Sequence, residues 1–501
     1  MKAATTGTED AAFRPRESSS VSLLAIAVLL AAGTIARIWV AAGELWLDEI
    51  WSLSFAREMT APWQVLTAIH HDNNHPLNTL SLWAAVKIAG AHAAPLVFRL
   101  LPLATGLGTI VLLFLTERRS VDREAPAAPW LAAIVAATSY LGVVYSTEAR
   151  GYAPAAFFAV AAFAYVRQRR MDSPRERFVF AALCVLGILS HLTFLFVYAG
   201  LAAWTLVRRV DGWHWRTWIT LHQLPATAIA GVYLIDARKL VYGGGPPFSV
   251  PEVIGRGLSL LAGGPASGPW LIAAAVAMIA VAAYGLVVVA RRRRDEAVFF
   301  AAALVLAPAA VLSVYHARYL DVRYFFVLFP FVWLLGARGL ARLAAAGRIG
   351  QLAAAALLAV SFAGNVSNTI PLLRDGRGHY MEIVSTMARL TPGETITVGS
   401  DHDFRNSLVL EYYAEKLPAD RRVIYVPSAS WTPASPEWIV THDFGAPRSA
   451  RAATSDLPSQ SARYQPVQCV PYGGISGWNW CLHRRAGSEG SGGSAGSGSG
   501  F

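Results

Sequence analysis

Charge is scarce in this chain. Only 15% of its 501 residues are Asp, Glu, Lys or Arg, while 54% are hydrophobic. An ordinary soluble chain carries about 25% charged residues. With a mean hydropathy of +0.41, the composition excludes a freely soluble globular protein and points to a chain that crosses the bilayer many times. Cysteine is scarcer still, at three residues. Cys184 lies in an apolar run and reads as an inert core residue. Cys469 and Cys481 sit close together in a polar region, and a disulfide is expected if that region faces an oxidising compartment. The Gly-rich phosphate loops of nucleotide sites are missing. So is any close-spaced metal-ligand motif, and no internal repeat is visible. No cleavable leader is expected, because residues 1–20 are polar, with Arg14 and Arg16, and the apolar stretch after them is long enough to span. A net charge of +11 would suit a nucleic-acid binder. Here the basic residues form short clusters between apolar segments, so they are topology signals and no nucleic-acid partner is expected.

What is present is a series of apolar segments with arginine clusters on one side of every crossing, as the positive-inside rule requires. The fold class is mainly α: a polytopic bundle of about eleven transmembrane helices, by length and charge pattern. Residues 1–20 form a cytoplasmic tail and 21–363 the transmembrane domain. The first external loop, 42–95, is too polar to span. Its apolar periodicity (Trp63, Leu66 and Ile69, then Leu77, Leu80, Trp83 and Val86) predicts short amphipathic helices along the membrane surface. A long apolar run breaks at Ser190 and His191, placing His191 at an outer turn. Residues 364–486 read as a small extracytoplasmic α/β domain, with strands over 395–398 and 423–426 and a helix over 406–415. Residues 487–501, nearly all Gly, Ser and Ala, have the composition of a linker or tag remnant.

The charges outside disobey the pattern. Asp48 and Glu49 stand side by side between Trp46 and Trp51, just past the first apolar segment. An interfacial aromatic belt explains the tryptophans. It explains an acidic pair less well, because an unpaired carboxylate beside lipid is costly. Lys87, Arg99, Arg150, Arg318 and Arg323 are single and embedded, near His75, Glu148, Tyr152 and His191. Each cation has a structural alternative in a salt bridge to Glu148 or Asp321. Gathered on one face, they suit an anionic ligand, and a lipid phosphate fits charge-assisted Arg and Lys donors. An outward cavity holding a carboxylate pair and a phosphate clamp is expected.

The motifs at residues 45–52, 75–77, 98–102 (with Arg99), 148–152, 190–191 and 323–324 resemble the GT-C superfamily of integral-membrane glycosyltransferases. The likeness is to the bacterial branch related to protein O-mannosyltransferases and the lipid A aminoarabinose transferase, and it runs in order over residues 21–335. One proline follows His75 where many relatives have two, and Asn73 and Asn74 precede it. The resemblance implies an inverting transferase in the bacterial inner membrane, with its N-terminus cytoplasmic and its active site and C-terminal domain extracytoplasmic. Its donor would be a polyprenyl-phosphate-linked sugar, and its acceptor a cell-envelope glycan, glycolipid or protein. Asp48 would be the general base. Lys87, Arg150 and Arg323 would stabilise the leaving phosphate, with Arg99 and Arg318 as further candidates. Glu49, His75, Glu148, Tyr152, His191 and Tyr324 would bind substrate, although a salt bridge for Glu49 and a structural role for each histidine stay open. No cofactor is implied, and a divalent cation on the histidines and acids stays open. The rival classes are a flippase for a lipid-linked anion and a membrane scaffold. The first calls for repeats or midplane polar residues, and the second leaves the setting of Asp48 unexplained.

Overall fold

The computed structural model describes residues 19–119, 125–208, 215–244, 248–314, 319–431, 435–444 and 464–486. Arg318, most of the N-terminal tail and the Gly/Ser-rich end lie outside them. Seven helices among the described residues are long and apolar enough to cross a membrane. They are Leu24–Ala42, Leu100–Arg118, Trp215–Lys239, Trp270–Arg292, Arg294–Val314, Val322–Ala344 and Arg348–Leu390, the last including a break after Asp375. The pair Ala128–Thr138 and Tyr140–Ser146, bent by 62°, makes an eighth if it is one span. Three helices counted from the sequence as spans are shorter: Tyr152–Gln168, Pro174–Ser190 and Phe194–Val207.

The bend at Ser139 frees carbonyls inside an apolar bundle, where each needs a donor. Arg37, fully buried on the first helix, supplies it. Its guanidinium donates to the carbonyls of Ala137 at 2.6 Å and Ala136 at 2.9 Å. Ser139 then caps the next helix by accepting from the Gly142 N–H. This repair sets the course of the chain into residues 147–151.

The loop after the first span, residues 42–95, is helical, with Leu47–Glu58, Gln64–Thr67 and Pro76–Ala89. Trp46 is not in a lipid belt. It is buried, edge-on to Trp478 of the C-terminal domain at 6.4 Å. Glu44 accepts from the N–H groups of Tyr380 and Met381 at the start of helix Tyr380–Leu390, and the Tyr413 hydroxyl donates to the Leu45 carbonyl at 2.7 Å. A shared core of Leu45, Leu47, Ile50, Tyr380, Ile383 and Trp480 joins loop and domain.

The final span overruns its predicted end. Helix Arg348–Asp375 continues well past residue 363, so the C-terminal domain starts later than expected. Its polar residues looked like the start of a soluble domain, but they are satisfied against the bundle. Asn365 accepts from the Tyr140 N–H at 2.8 Å, and Asn368 donates to the Gly264 carbonyl at 2.9 Å. Beyond it a five-stranded sheet forms from β1 (Thr395–Ser400), β2 (Arg422–Tyr425), β3 (Trp438–Asp443), β4 (Tyr464–Val470) and β5 (Asn479–Arg485), in the order β2-β1-β3-β5-β4. β1 runs parallel to β2 and β3, and the β5 pairings are antiparallel. Cys469 and Cys481 are register partners on β4 and β5 and are joined by a disulfide.

At the other end of helix Leu100–Arg118 lies a feature the arginine runs concealed. Arg338 donates to Glu117 at 2.7 and 2.9 Å and to Glu296 at 2.8 Å, and Arg167 lies 3.1 Å from Glu296. All four side chains are at least nine-tenths buried. Arg338 read as a topology charge. It is the centre of an ion network tying four helices together.

Candidate functional site

Asp48 lies in the first turn of helix Leu47–Glu58. Its Oδ2 accepts from Arg323 Nη1 at 2.6 Å and lies 3.5 Å from Arg150 Nη1. These three residues come from the first external loop, the turn after the bent helix pair, and the turn before Phe329–Ala344. Arg150 is fixed further by Tyr152, whose hydroxyl accepts from Nη2 at 3.3 Å, and by the Asn73 side-chain oxygen. Asn73 in turn donates to the Asp48 carbonyl at 2.9 Å and the Ser52 hydroxyl at 3.0 Å. Arg323 takes its direction from Asp321, which accepts from its backbone N–H at 3.0 Å.

Two histidines sit behind the arginines. His75 Nδ1 accepts from the Gly151 N–H at 2.9 Å, which leaves the hydrogen on Nε2. That Nε2 is buried without a partner among the described residues. His191 Nδ1 accepts from the Thr193 N–H at 3.1 Å. The two rings are 4.6 Å apart, and Tyr152 lies 5.3 Å from one and 4.9 Å from the other. Tyr324 stands at 6.5 Å from His191. Gly151 permits this packing, because a Cβ there would come within 1.8 Å of the Ser190 carbonyl oxygen. Burial first, and then Arg150 and Arg323, push both histidines below their ordinary range, His191 to about 3. Both are therefore neutral N–H donors at physiological pH, beside two guanidinium groups.

Four of the expected site residues are elsewhere. Glu49 and Arg99 are fully buried against each other. Arg99 Nε and Nη2 donate to the two carboxylate oxygens at 2.7 and 2.6 Å. Arg99 also takes the carbonyls of Ala41, Gly43 and Glu44 at the end of the first helix, and Glu49 accepts from the Ala149 N–H at 2.7 Å. Their expected acceptor and phosphate contacts give way to a structural ion pair, because every polar atom of the fork already has a partner inside the fold. Glu148 is also buried, and it accepts from the Ser476 hydroxyl 3.6 Å from Arg377. Burial raises its pKa, with Arg377 and Ser476 opposing. It ties the bundle to the C-terminal domain and does not reach Asp48. Lys87 is exposed near the far end of helix Pro76–Ala89, roughly 16 Å along from the His75 end at 1.5 Å per residue.

Asp321, expected as a salt-bridge partner for the single cations, instead accepts from the Arg323 backbone N–H. Asn73, Arg377 and Ser476 are support residues that the sequence reading did not single out, and the Asn73–Asn74 pair before His75 was the signal for the first of them. Asp48 and Arg323 touch each other with side chains 13% and 16% exposed, so the site is nearly closed. A cavity of about 730 Å³ lies at the opposite end beside Glu117, Arg167 and Arg338. Arg118, Arg292 and Arg293 also line it, and it contains none of the residues around Asp48. Among the described residues no group of three or more His, Cys, Asp or Glu side chains is placed to hold a metal ion.

Removing one partner of the buried Glu49–Arg99 pair leaves a charge without compensation. Glu49→Ala is expected to cost about 3–5 kcal/mol of stability, read as a lower unfolding temperature in lipid nanodiscs. A Glu49→Ala protein as stable as wild type, yet inactive, would return Glu49 to the chemistry. Burial raises the Glu49 pKa but Arg99 outweighs it, so the folded value is lowered. The pair's contribution is therefore present above the ordinary carboxylate range and is lost as pH falls through the lowered value.

The bundle, the helical segment over residues 42–95 and the C-terminal α/β domain together form a polytopic helix-bundle fold that is also found among solved structures. No protein-family model matches the chain, and no curated protein matches it in sequence. Among solved structures it is similar to ArnT, the lipid A aminoarabinose transferase, from Cupriavidus metallidurans. The apo form has a TM-score of 0.53 and 16% identity, covering 94% of this chain and 99% of that one. The form bound to undecaprenyl phosphate has a TM-score of 0.52 and 14% identity, covering 94% and 100%. The Archaeoglobus fulgidus oligosaccharyltransferase has a TM-score of 0.49 and 13% identity, covering 90% and 72%. At these identities the likeness to the two Cupriavidus structures is one of fold.

Proposed function

We propose that the chain is an inverting glycosyltransferase that moves a monosaccharide from a polyprenyl-phosphate-linked donor to a hydroxyl of a cell-envelope acceptor. It would work on the extracytoplasmic side of a bacterial inner membrane. The observation that carries this is the Asp48 carboxylate between two guanidinium groups, Arg150 and Arg323. The fold neighbour with undecaprenyl phosphate bound supports a lipid phosphate as the anion.

A phosphate entering here takes over the N–H donors that Asp48 holds, releasing the carboxylate for the acceptor. Asp48 then removes the hydroxyl proton as that oxygen attacks the anomeric carbon. The bond from anomeric carbon to phosphate oxygen breaks, and its electron pair stays on the polyprenyl phosphate. Arg150 and Arg323 meet the charge that develops there. The neutral N–H groups of His75 and His191 offer hydrogen bonds to sugar or phosphate without adding charge. Tyr152 and Tyr324 hold the ring stack in place.

The test is donor choice. Purified protein given a polyprenyl-phosphate-sugar pool together with cell-envelope acceptors from native membranes should release polyprenyl phosphate, followed by mass spectrometry. Nucleotide sugars alone should give none, since they are made in the cytoplasm and the chain has no Gly-rich phosphate loop. Turnover of a nucleotide sugar in the absence of polyprenyl phosphate would overturn the proposal.

A further inference from the structure

The C-terminal domain places Phe404, Arg405 and Phe444 beside the Asp48 site. Arg405 lies in the first turn of helix Asp403–Ala414, where the His402 ring accepts its backbone N–H. Its guanidinium donates to His442 Nε2 at 3.0 Å, and His442 Nδ1 faces the Asp401 carboxylate at 3.0 Å. Asp401 is held in turn by Ser400 and Asn406. The guanidinium is thus fixed at the ends of β1 and β3, over the Phe444 ring at 5.2 Å. The charge of Asp48 acts on it.

Phe404 meets Trp51 edge-on at 5.0 Å, and Trp51 leans on His71 at 4.2 Å. Trp51 is three residues after Asp48 on one helix, so the two lie on the same face. This row of rings joins the domain to the first external loop, but gluing the two is not all it does. A ring placed only for that contact would be buried, yet Phe404 is 51% exposed and Phe444 55%. An open phenyl ring under a held cation, with a second open ring on the residue before it, offers apolar faces and a hydrogen-bond donor together. A sugar ring has the matching chemistry: a C–H face that stacks on an aromatic ring, and hydroxyls at its edge. A lipid tail would use the rings but not the guanidinium.

We propose that Trp51, Phe404, Phe444 and Arg405 form the acceptor subsite, and that the acceptor is a carbohydrate. This rests on the transferase reading. It gives the C-terminal domain the task of presenting an acceptor hydroxyl to Asp48.

The experiment is saturation-transfer NMR on the full chain in lipid nanodiscs, with methyl hexosides, methyl pentosides and their disaccharides as probes. A tripeptide panel competes, and undecaprenyl phosphate affinity is measured in parallel. Wild type should transfer saturation to sugar C–H protons. Phe404→Ala and Arg405→Ala should each weaken glycoside binding by about tenfold while undecaprenyl phosphate affinity is unchanged. Phe404→Tyr, which keeps the ring, should restore binding, and this guards against a folding defect. Three results overturn the subsite: no glycoside contact in wild type, wild-type binding by both alanine variants, or displacement by peptides. Failure of wild type to bind undecaprenyl phosphate, with glycoside contact intact, sinks the transferase reading instead.

Discussion

Asp48→Asn should lower transfer by about 10²–10⁴-fold, the usual share of general-base catalysis, and leave lipid-donor binding intact. The amide keeps the size and hydrogen-bonding shape of the carboxylate but cannot take a proton. It also stops neutralising Arg323 and Arg150, which lie 2.6 and 3.5 Å from the Asp48 carboxylate. Affinity for a lipid phosphate should therefore stay level or rise. The check is transfer rate and donor affinity on the same preparation. A scaffold would be indifferent to the change, and a flippase would keep moving its lipid. Near-wild-type transfer by Asp48→Asn would remove Asp48 from the chemistry.

Arg150→Ala should behave in the opposite way on the binding axis. Arg150 is buried and touches Asp48, Asn73 and Tyr152 together. Its loss removes a cation from both the bound donor and the transition state. Donor affinity and turnover should both fall, by about 2–5 kcal/mol in total. Arg150→Lys restores charge without the planar fork, so it should recover only part of the loss. If Arg150→Ala leaves both quantities alone, the phosphate clamp lies elsewhere.

Much of this site was legible because it breaks a rule. Single cations beside acids and histidines stand out against the arginine runs, and the structure brings Arg150, Arg323, His75 and His191 together. Composition and spacing do not tell Asp48 from Glu49; only the family resemblance assigned the base to Asp48. Neighbours on a helix point about 100° apart, so one carboxylate faces the arginines of the site and the other faces Arg99. Which is which depends on how the helix is rolled against the bundle. Arg99 and Lys87 failed for related reasons. A cation at a helix end can cap carbonyls, extend into water or meet a ligand, and only packing decides. Arg338 was hidden by its neighbours, since a buried arginine inside a basic cluster looks like one more topology charge. Asn365 and Asn368 misplaced the domain boundary because their partners, Tyr140 and Gly264, are over a hundred residues away in sequence.

The central claim is that a lipid phosphate binds between Arg150 and Arg323 beside Asp48. Undecaprenyl phosphate affinity, measured for wild type, Asp48→Asn, Arg150→Ala and Arg323→Ala in one set of nanodiscs, tests it most directly. Wild type should bind, Asp48→Asn should bind equally or more tightly, and each alanine variant should bind at least about tenfold more weakly. Equal affinity across all four proteins would contradict it.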